Sequence, residues 1–514
     1  MAYLPPTLVV LLLIILSTLL RLILAATTGL GVDESYVVSI SRTLSLSYFD
    51  HPPLHFWLVW LITHLTGSEA PVIVRLPFIL LFAGSTWLMY RLGQQLFGNW
   101  AGVYAAILLN ISAVFSLSSG TWVLPDGPLF FALLAAALTL DKRLFKCSNN
   151  ILWLQFGLWL GLGLLCKYHA AFLFLGALLY ILSTKKQRHL LFTIGPYLSL
   201  FVAGILFSPV LLWNAAHSWV SFVFQGSRGL AHGFYPQKML ANIMGQAAWV
   251  LPWIWLPLIG SACSAASPMI NSPEISPGPR ETRRHFLLCL SVLPILFFTV
   301  ATLWGAQGLF HWQAPGYLFL FPLLGEKIVI AIKRGSRKTK WWLKSSAATF
   351  IILVTLLASH TATGWLHTVF PQLSAKNDPT LEALDWHDIE KPLSPHGLLN
   401  APVGFIVTNS WIDGGKIDYA LGGHLPVLTL NDAPHHFAFI HTLSDYQGQD
   451  ALIIGQPKYI QDAAQYQPYF ESITALDKIP IKRNGHDEIE LSVYYAKNFN
   501  GQFPLPYGNN LTSK

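Results

Sequence analysis

Long apolar runs recur from the start of the chain to about residue 360, at 8–26, 76–96, 101–117, 128–140, 151–167, 169–183, 190–212, 240–261, 285–303, 314–332 and 345–360. A helix that crosses a bilayer needs roughly twenty apolar residues, and these eleven runs reach that length or approach it. The polar positions between them sort by charge. Lys142, Arg143 and Lys146; Lys185, Lys186 and Arg188; Arg280, Arg283 and Arg284; and Lys333, Arg334, Arg337, Lys338, Lys340 and Lys344 fall on one side of the alternation. The positive-inside rule makes that side cytoplasmic. The other side receives residues 27–75, Asp126, Lys167, the segment 213–239 and everything after 361, so the N-terminus is expected inside and the C-terminal region outside. The first run is read as an uncleaved span rather than a signal peptide, because Met1–Thr7 carries no basic residue.

Two stretches break the apolar rhythm. Between the first and second runs, Val37, Ile40, Leu44 and Tyr48 recur at helical spacing with Ser35, Ser39, Arg42 and Ser45 between them. That pattern predicts an amphipathic helix lying along the interface, with Asp33 as its N-cap. Past residue 361 the runs shorten to 404–408, 426–430, 451–454 and 491–495, bounded by turn residues, which predicts strands. The expected organisation is therefore a transmembrane domain over 1–360, with an external loop at about 27–75, and an extracytoplasmic α/β domain over 361–514. Ser267–Arg280 reads as a loop.

Composition agrees with this class: 53% of residues are hydrophobic and only 11% charged. The net charge of +7 is carried mainly by short loops, where it reports topology and not nucleic-acid binding. The four cysteines, Cys147, Cys166, Cys263 and Cys289, form neither a disulfide framework nor a zinc spacing. No ligand cluster for a metal stands out, although carboxylates beside a phosphate leave a divalent ion open. Ionisable residues next to a bilayer are costly and mark function by default, which directs attention to Asp33-Glu34 and to Asp50-His51, the latter held by the rigid Pro52-Pro53 turn.

Several motifs occur in order along the chain: Asp33-Glu34-Ser35-Tyr36, Tyr48-Phe49-Asp50-His51-Pro52-Pro53-Leu54, Val74-Arg75-Leu76-Pro77, Leu124-Pro125-Asp126-Gly127-Pro128 and Cys166-Lys167-Tyr168-His169. Trp213-Asn214, Phe224-Gln225-Gly226-Ser227-Arg228-Gly229, Gly245-Gln246, His311-Trp312-Gln313-Ala314-Pro315 and Asp378-Pro379-Thr380-Leu381 follow. In this order they resemble the bacterial GT-C glycosyltransferases: glycosyltransferase family 39, the protein O-mannosyltransferases and the lipid A aminoarabinose transferases. The resemblance implies a polytopic α-helical membrane protein of about eleven spans in a bacterial inner membrane. Its implied reaction moves a sugar from a polyprenyl-phosphate donor to a hydroxyl of a lipid, glycan or protein acceptor on the external face.

The resemblance also implies roles. Asp33 is the expected general base, with Glu34 beside it; Arg228, Lys167, His51 and Arg42 are the expected cations for the donor phosphate; Tyr36, Asp50, Asp126 and His311 are expected to line the cleft. Where the aminoarabinose transferases place a lysine before the double proline, this chain has His51. A polytopic transporter or flippase is the competing class, disfavoured because the ionisable residues gather at one face and not at mid-membrane. An oligosaccharyltransferase is disfavoured by the lack of a Trp-Trp-Asp-Tyr-Gly segment. The identity of the sugar and of the acceptor cannot be read from these residues.

Overall fold

The computed structural model describes residues 4–228, 233–271, 278–305, 308–370, 378–390, 403–460, 462–504 and 506–507. Gly229 and part of the expected loop Ser267–Arg280 lie outside the described residues. The helices are α1 (Pro6–Thr27), α2 (Val32–Ser41), α3 (Leu54–Thr66), α4 (Pro71–Phe97), α5 (Asn99–Asn110), α6 (Asp126–Phe145), α7 (Ile151–Cys166), α8 (Ala171–Ser183) and α9 (Ile194–Ala216). They continue with α10 (Val220–Ser227), α11 (Pro236–Val250), α12 (Pro252–Asn271), α13 (Pro279–Val300), α14 (Ala314–Leu318), α15 (Phe321–Lys333), α16 (Arg337–Thr363), α17 (Trp365–Val369) and α18 (Trp411–Ala420). The chain forms two compact units, one of residues 1–22, 51–55 and 76–353, the other of residues 23–50, 56–75 and 354–514.

The first unit is a helical bundle in which α7 packs between α6 and α9, α5 against α15, and α8 against α13. Small residues permit the close approaches: a Cβ on Gly157 would lie 2.4 Å from the Ser199 carbonyl, and one on Gly325 2.3 Å from that of Ala101. Such contacts substitute for the hydrophobic effect that lipid-exposed helices lack. Among the described residues, six helices are long and apolar enough to cross a membrane, or up to eight if each bent pair counts as one span. Several expected spans are corrected accordingly. The run 240–261 is α11 and α12, bent by 108° at Leu251, whose φ of 79° breaks the helix ahead of Pro252. The run 101–117 ends as α5 at Asn110 and turns over Val114–Ser118. The run 190–212 becomes α9 only from Ile194, after a 3-10 segment at Lys185–Phe192. An apolar count does not register the break at Leu251, because the residues on both sides of it are equally apolar. It also passes over Arg21 in α1, buried and donating to Asn110 Oδ1 at 3.4 Å and Ser116 Oγ at 2.8 Å.

The second unit is built on a sheet of order β2-β1-β3-β6-β4, with β5 paired to β6. Its strands are β1 (Val403–Thr408), β2 (Val427–Thr429), β3 (Asp450–Gly455), β4 (Phe470–Ala475), β5 (Ile479–Arg483) and β6 (His486–Phe499). β1 pairs in parallel with β2 and β3, while β6 runs antiparallel to β3, β4 and β5. All four expected strands are present. β4 and β5 were not expected, although Asn484-Gly485, both at positive φ between β5 and β6, is the usual sequence of a tight hairpin turn.

α18 leaves β1 with Ser410 capping it, the Ser410 hydroxyl accepting the Ile412 N–H. It packs on α2 so closely that a Cβ on Gly415 would lie 2.7 Å from the Cα of Tyr36. This corrects the expected interfacial helix. α2 stops at Ser41, leaving Leu44 and Tyr48 beyond it, and every residue from Glu34 to Ser41 is buried. Ser39 looks inward because α18 offers it a polar partner, Asp418, while Ser35 donates to the Gly31 carbonyl of its own helix start. The N-cap is Gly31, with Asp33 in the first turn.

Candidate active site

In the second unit, α2 places Asp33 and Glu34 side by side and gives them opposite surroundings. Glu34 is 3% exposed and locked to Arg75, 1% exposed, through two parallel bonds of 2.8 and 2.6 Å. Its Oε2 also accepts the Gly31 N–H at 2.8 Å. The remaining Arg75 donors reach the carbonyls of Thr28 at 3.0 Å and Gly29 at 2.7 Å. One guanidinium therefore ties the end of α1, the connecting turn and the start of α2 together. Asp33, by contrast, is open to solvent. Dense protein around it, with the negative charges of Glu382, Asp50 and Glu34, raises its carboxyl to about 6, and His435 acts in the opposite direction.

Asp50 is buried and accepts hydrogen bonds from the Tyr36 hydroxyl and from His435 Nδ1. The bond to Asp50 puts a proton on His435 Nδ1. The His436 N–H donates to the Tyr36 hydroxyl at 2.9 Å, and the Phe49 N–H donates to His436 Nδ1 at 3.0 Å. His435 has φ of 55°, a conformation costly for a residue with a Cβ and retained here by this bonding and by the Trp411 ring, 4.8 Å away between centroids. Sequence reasoning missed His435 and Arg75. The paired histidines at 435–436 were the available signal for the first, and an arginine within an otherwise apolar run was the signal for the second. Lys416 of α18 was missed as well: its ammonium is buried, donates to the carbonyls of Leu30 and Leu384, and is lowered by burial to about 7.

Arg42 does not stand open for a phosphate. Its Nε and Nη2 grip Glu69 at 2.9 and 2.7 Å, and its Nη1 donates to Asp418. Two carboxylates already surround the guanidinium.

The first unit gathers the other expected residues. Lys167 Nζ donates to both oxygens of Asp126 at 3.0 Å, with both side chains buried. The pair is formally neutral. Arg228, at the end of α10, lies with its guanidinium 5.1 Å from the Phe224 ring centroid and 5.8 Å from that of Trp312. Trp312 in turn meets the His169 ring edge-on at 6.0 Å. Burial and the positive charges of Lys167 and Arg228 lower His311 to about 4, so its imidazole is neutral at physiological pH. His51 acts electrostatically on His169 and packs against His55 at 5.6 Å between ring centroids. Lys167 and Asp126 cancel, and Arg228 brings to the same unit a guanidinium whose planar fork matches phosphate oxygens.

One group among the described residues has metal-ligand composition: His360, His367 and Asp378 in the second unit. It does not fit a cation. The Leu366 N–H donates to His360 Nδ1 at 3.2 Å, which leaves the proton of the neutral ring on Nε2, and Nε2 faces Asp378 Oδ2 at 3.1 Å. A metal would need that nitrogen bare. Arg483 Nη2 donates to the same carboxylate oxygen at 3.0 Å, which places a positive charge where the ion would sit.

Residues 50–213 match the family model described as dolichyl-phosphate-mannose-protein mannosyltransferase. The chain is 26% identical over 300 residues to the lipid A galacturonosyltransferase RgtD of Rhizobium johnstonii, an alignment covering 57% of this chain and 59% of that protein. It is 23% identical over 318 residues to an undecaprenyl phosphate-alpha-4-amino-4-deoxy-L-arabinose arabinosyl transferase of Proteus mirabilis, covering 58% of this chain and 51% of that one. The matched region thus spans little more than half of these relatives. Among solved structures, ArnT from Cupriavidus metallidurans superposes with a TM-score of 0.62 in the apo state and 0.59 bound to undecaprenyl phosphate, at 12% and 13% identity, covering 94% of this chain and 97% of that one in both cases. The chain is a multi-pass membrane protein with the ArnT-like GT-C fold and a small C-terminal sheet domain, and its sequence resembles those of the polyprenyl-phosphate glycosyltransferases.

Proposed function

We propose that this protein transfers a sugar from a polyprenyl-phosphate donor to an acceptor hydroxyl at the external face of a bacterial inner membrane. The observation that carries the reading is the superposition on ArnT along nearly the full length of both chains, including the structure bound to undecaprenyl phosphate. Transfer to lipid A or another envelope component follows the relatives named above. Asp33 is the general base: the acceptor oxygen bonds to the anomeric carbon as the bond from that carbon to the phosphate oxygen breaks. The hydroxyl proton passes to the Asp33 carboxylate, and the leaving polyprenyl phosphate keeps the electron pair. Glu34 holds the first turn of α2 in place through Arg75. Arg228 binds the donor phosphate, aided by the Lys167–Asp126 pair and His51, because charge developing on the leaving group is stabilised by fixed donors. The basic loops face the cytoplasm, and residues 361–514 form an external domain. Mass spectrometry of envelope glycolipids and glycoproteins from cells with and without the gene tests this reading: a sugar missing from one component supports it, and identical profiles contradict it.

Two expected results arise from the site itself. The base works only when ionised, so kcat/KM rises with pH through an apparent pKa near 6 and is lost below it; an acid limb near pH 4 would mean that the base is an unperturbed carboxylate. Charge-assisted hydrogen bonds contribute about 1.5–3 kcal/mol, so Arg228→Ala is expected to raise the donor KM by roughly 10- to 100-fold with little change in acceptor KM. Arg228→Lys, which keeps the charge and loses the two-pronged geometry, falls between. Equal effects on both substrates would return Arg228 to a scaffold role.

A further inference from the structure

α12, α13 and α15 line an open-mouthed cavity of about 420 Å³ that the proposed reaction does not use. Arg284, Lys327, Arg334 and Glu326 supply the charged part of its wall, three cations against one carboxylate. That carboxylate is fully engaged. Arg284 donates to Glu326 from Nε at 2.9 Å and Nη2 at 3.1 Å, and Arg280 Nε adds a third contact at 2.8 Å. Lys327 is held at the wall by acceptors that do not neutralise it, the Gly260 carbonyl at 2.6 Å and the Ser264 hydroxyl at 2.8 Å. Arg334 follows the last turn of α15 and is exposed.

Basic residues are common on the cytoplasmic side of any polytopic protein, but the positive-inside rule asks only for charge in the loops. It does not require a half-open cavity in which two arginines consume the single carboxylate and an ammonium is immobilised by neutral oxygens. We propose that this cavity binds the phosphate headgroup of an anionic phospholipid from the leaflet that faces the basic loops. Guanidinium groups pair readily with phosphate oxygens, and basic pockets between membrane helices are established receptors for such headgroups. The rest of the wall argues for a lipid over free phosphate. Leu323 and Ile330 line the same cavity, and a phospholipid brings glycerol and acyl carbons to cover them, whereas inorganic phosphate leaves them facing water. A few hundred cubic ångströms is adequate for a glycerophosphate headgroup.

Native mass spectrometry of the full chain, extracted from bilayers of mixed phosphatidylglycerol and phosphatidylcholine, tests the proposal. The wild-type protein is expected to retain phosphatidylglycerol in preference to phosphatidylcholine, and millimolar inorganic phosphate is expected not to displace it. Each basic residue that contacts an anionic headgroup strengthens binding severalfold, so Lys327→Gln/Arg334→Gln, two cavity-wall changes, should lower the retained fraction by about tenfold or more. Arg334→Gln alone, at an exposed position where folding is not at stake, should lower it in the same direction. The control is Lys338→Gln/Lys340→Gln, which removes equal charge outside the cavity and should leave retention unchanged. Equal loss in the control overturns the proposal in favour of general surface attraction. Absence of a headgroup preference overturns it outright, and displacement by inorganic phosphate reassigns the cavity to a free anion.

Discussion

Replacement of Asp33 by Asn is expected to leave a folded, membrane-inserted protein whose turnover is reduced by about a hundredfold to ten-thousandfold, the range typical when a general base is removed. The side chain is exposed and lies in the first turn of α2 beyond its cap Gly31, so an isosteric amide disturbs neither packing nor capping. What it loses is the capacity to take a proton. Glu34 is poorly placed to substitute, because both of its oxygens are held by Arg75 and it is buried. Single-turnover kinetics with saturating donor and acceptor measure the effect, with unchanged detergent-solubilised melting as the folding check. Near-normal turnover in a well-folded variant would move the base elsewhere, Asp50 and Asp126 being the remaining acidic candidates.

Arg75→Gln is expected to lower the stability of the second unit by about 3–5 kcal/mol, since removing one partner of a buried pair leaves an uncompensated charge. Both side chains of the Arg75–Glu34 pair are at most 4% exposed, and the arginine also satisfies the carbonyls at the end of α1. Arg75→Met combined with Glu34→Gln removes both charges and should melt above Arg75→Gln alone. A double variant melting as far below wild type as the sum of its single changes would show that the pair is not coupled and that the arginine acts only through the backbone carbonyls.

The parts of this molecule that were legible in its sequence are those set by composition over long windows. α1, α4 to α9 and α11 to α16 follow apolar runs, whereas α3 and α10 lie outside every such run, and β1, β2, β3 and β6 follow short β-branched segments between turn residues. The failures have physical causes that such windows average away. Leu251 breaks a run without any change in hydropathy. α2 looked like an interfacial helix because its serines alternate with apolar residues; it is buried because α18, nearly four hundred residues later in the chain, supplies the aspartate that one of those serines bonds. At the candidate site the acidic pair at 33–34 stood out at once, but which of the two is open was decided by Arg75, far along the sequence. His435 was passed over for the same reason: Asp50, which its ring bonds, and Tyr36, whose ring it meets edge-on, come from the opposite end of the chain. Arg42 was selected as an external cation, and only the packing of Glu69 and Asp418 around it shows how its charge is used.

The central claim is chemical: a sugar leaves polyprenyl phosphate and becomes bonded to another molecule. Its most direct test is the purified chain reconstituted in vesicles without an ion gradient, supplied with undecaprenyl-phosphate sugars and an extract of envelope acceptors, with free undecaprenyl phosphate and glycosylated acceptor quantified together. The account predicts that the two products appear in equal amounts and that Asp33→Asn slows the formation of both by about a hundredfold or more. Movement of intact lipid-linked sugar across the bilayer with no release of undecaprenyl phosphate would contradict it and make the protein a transporter.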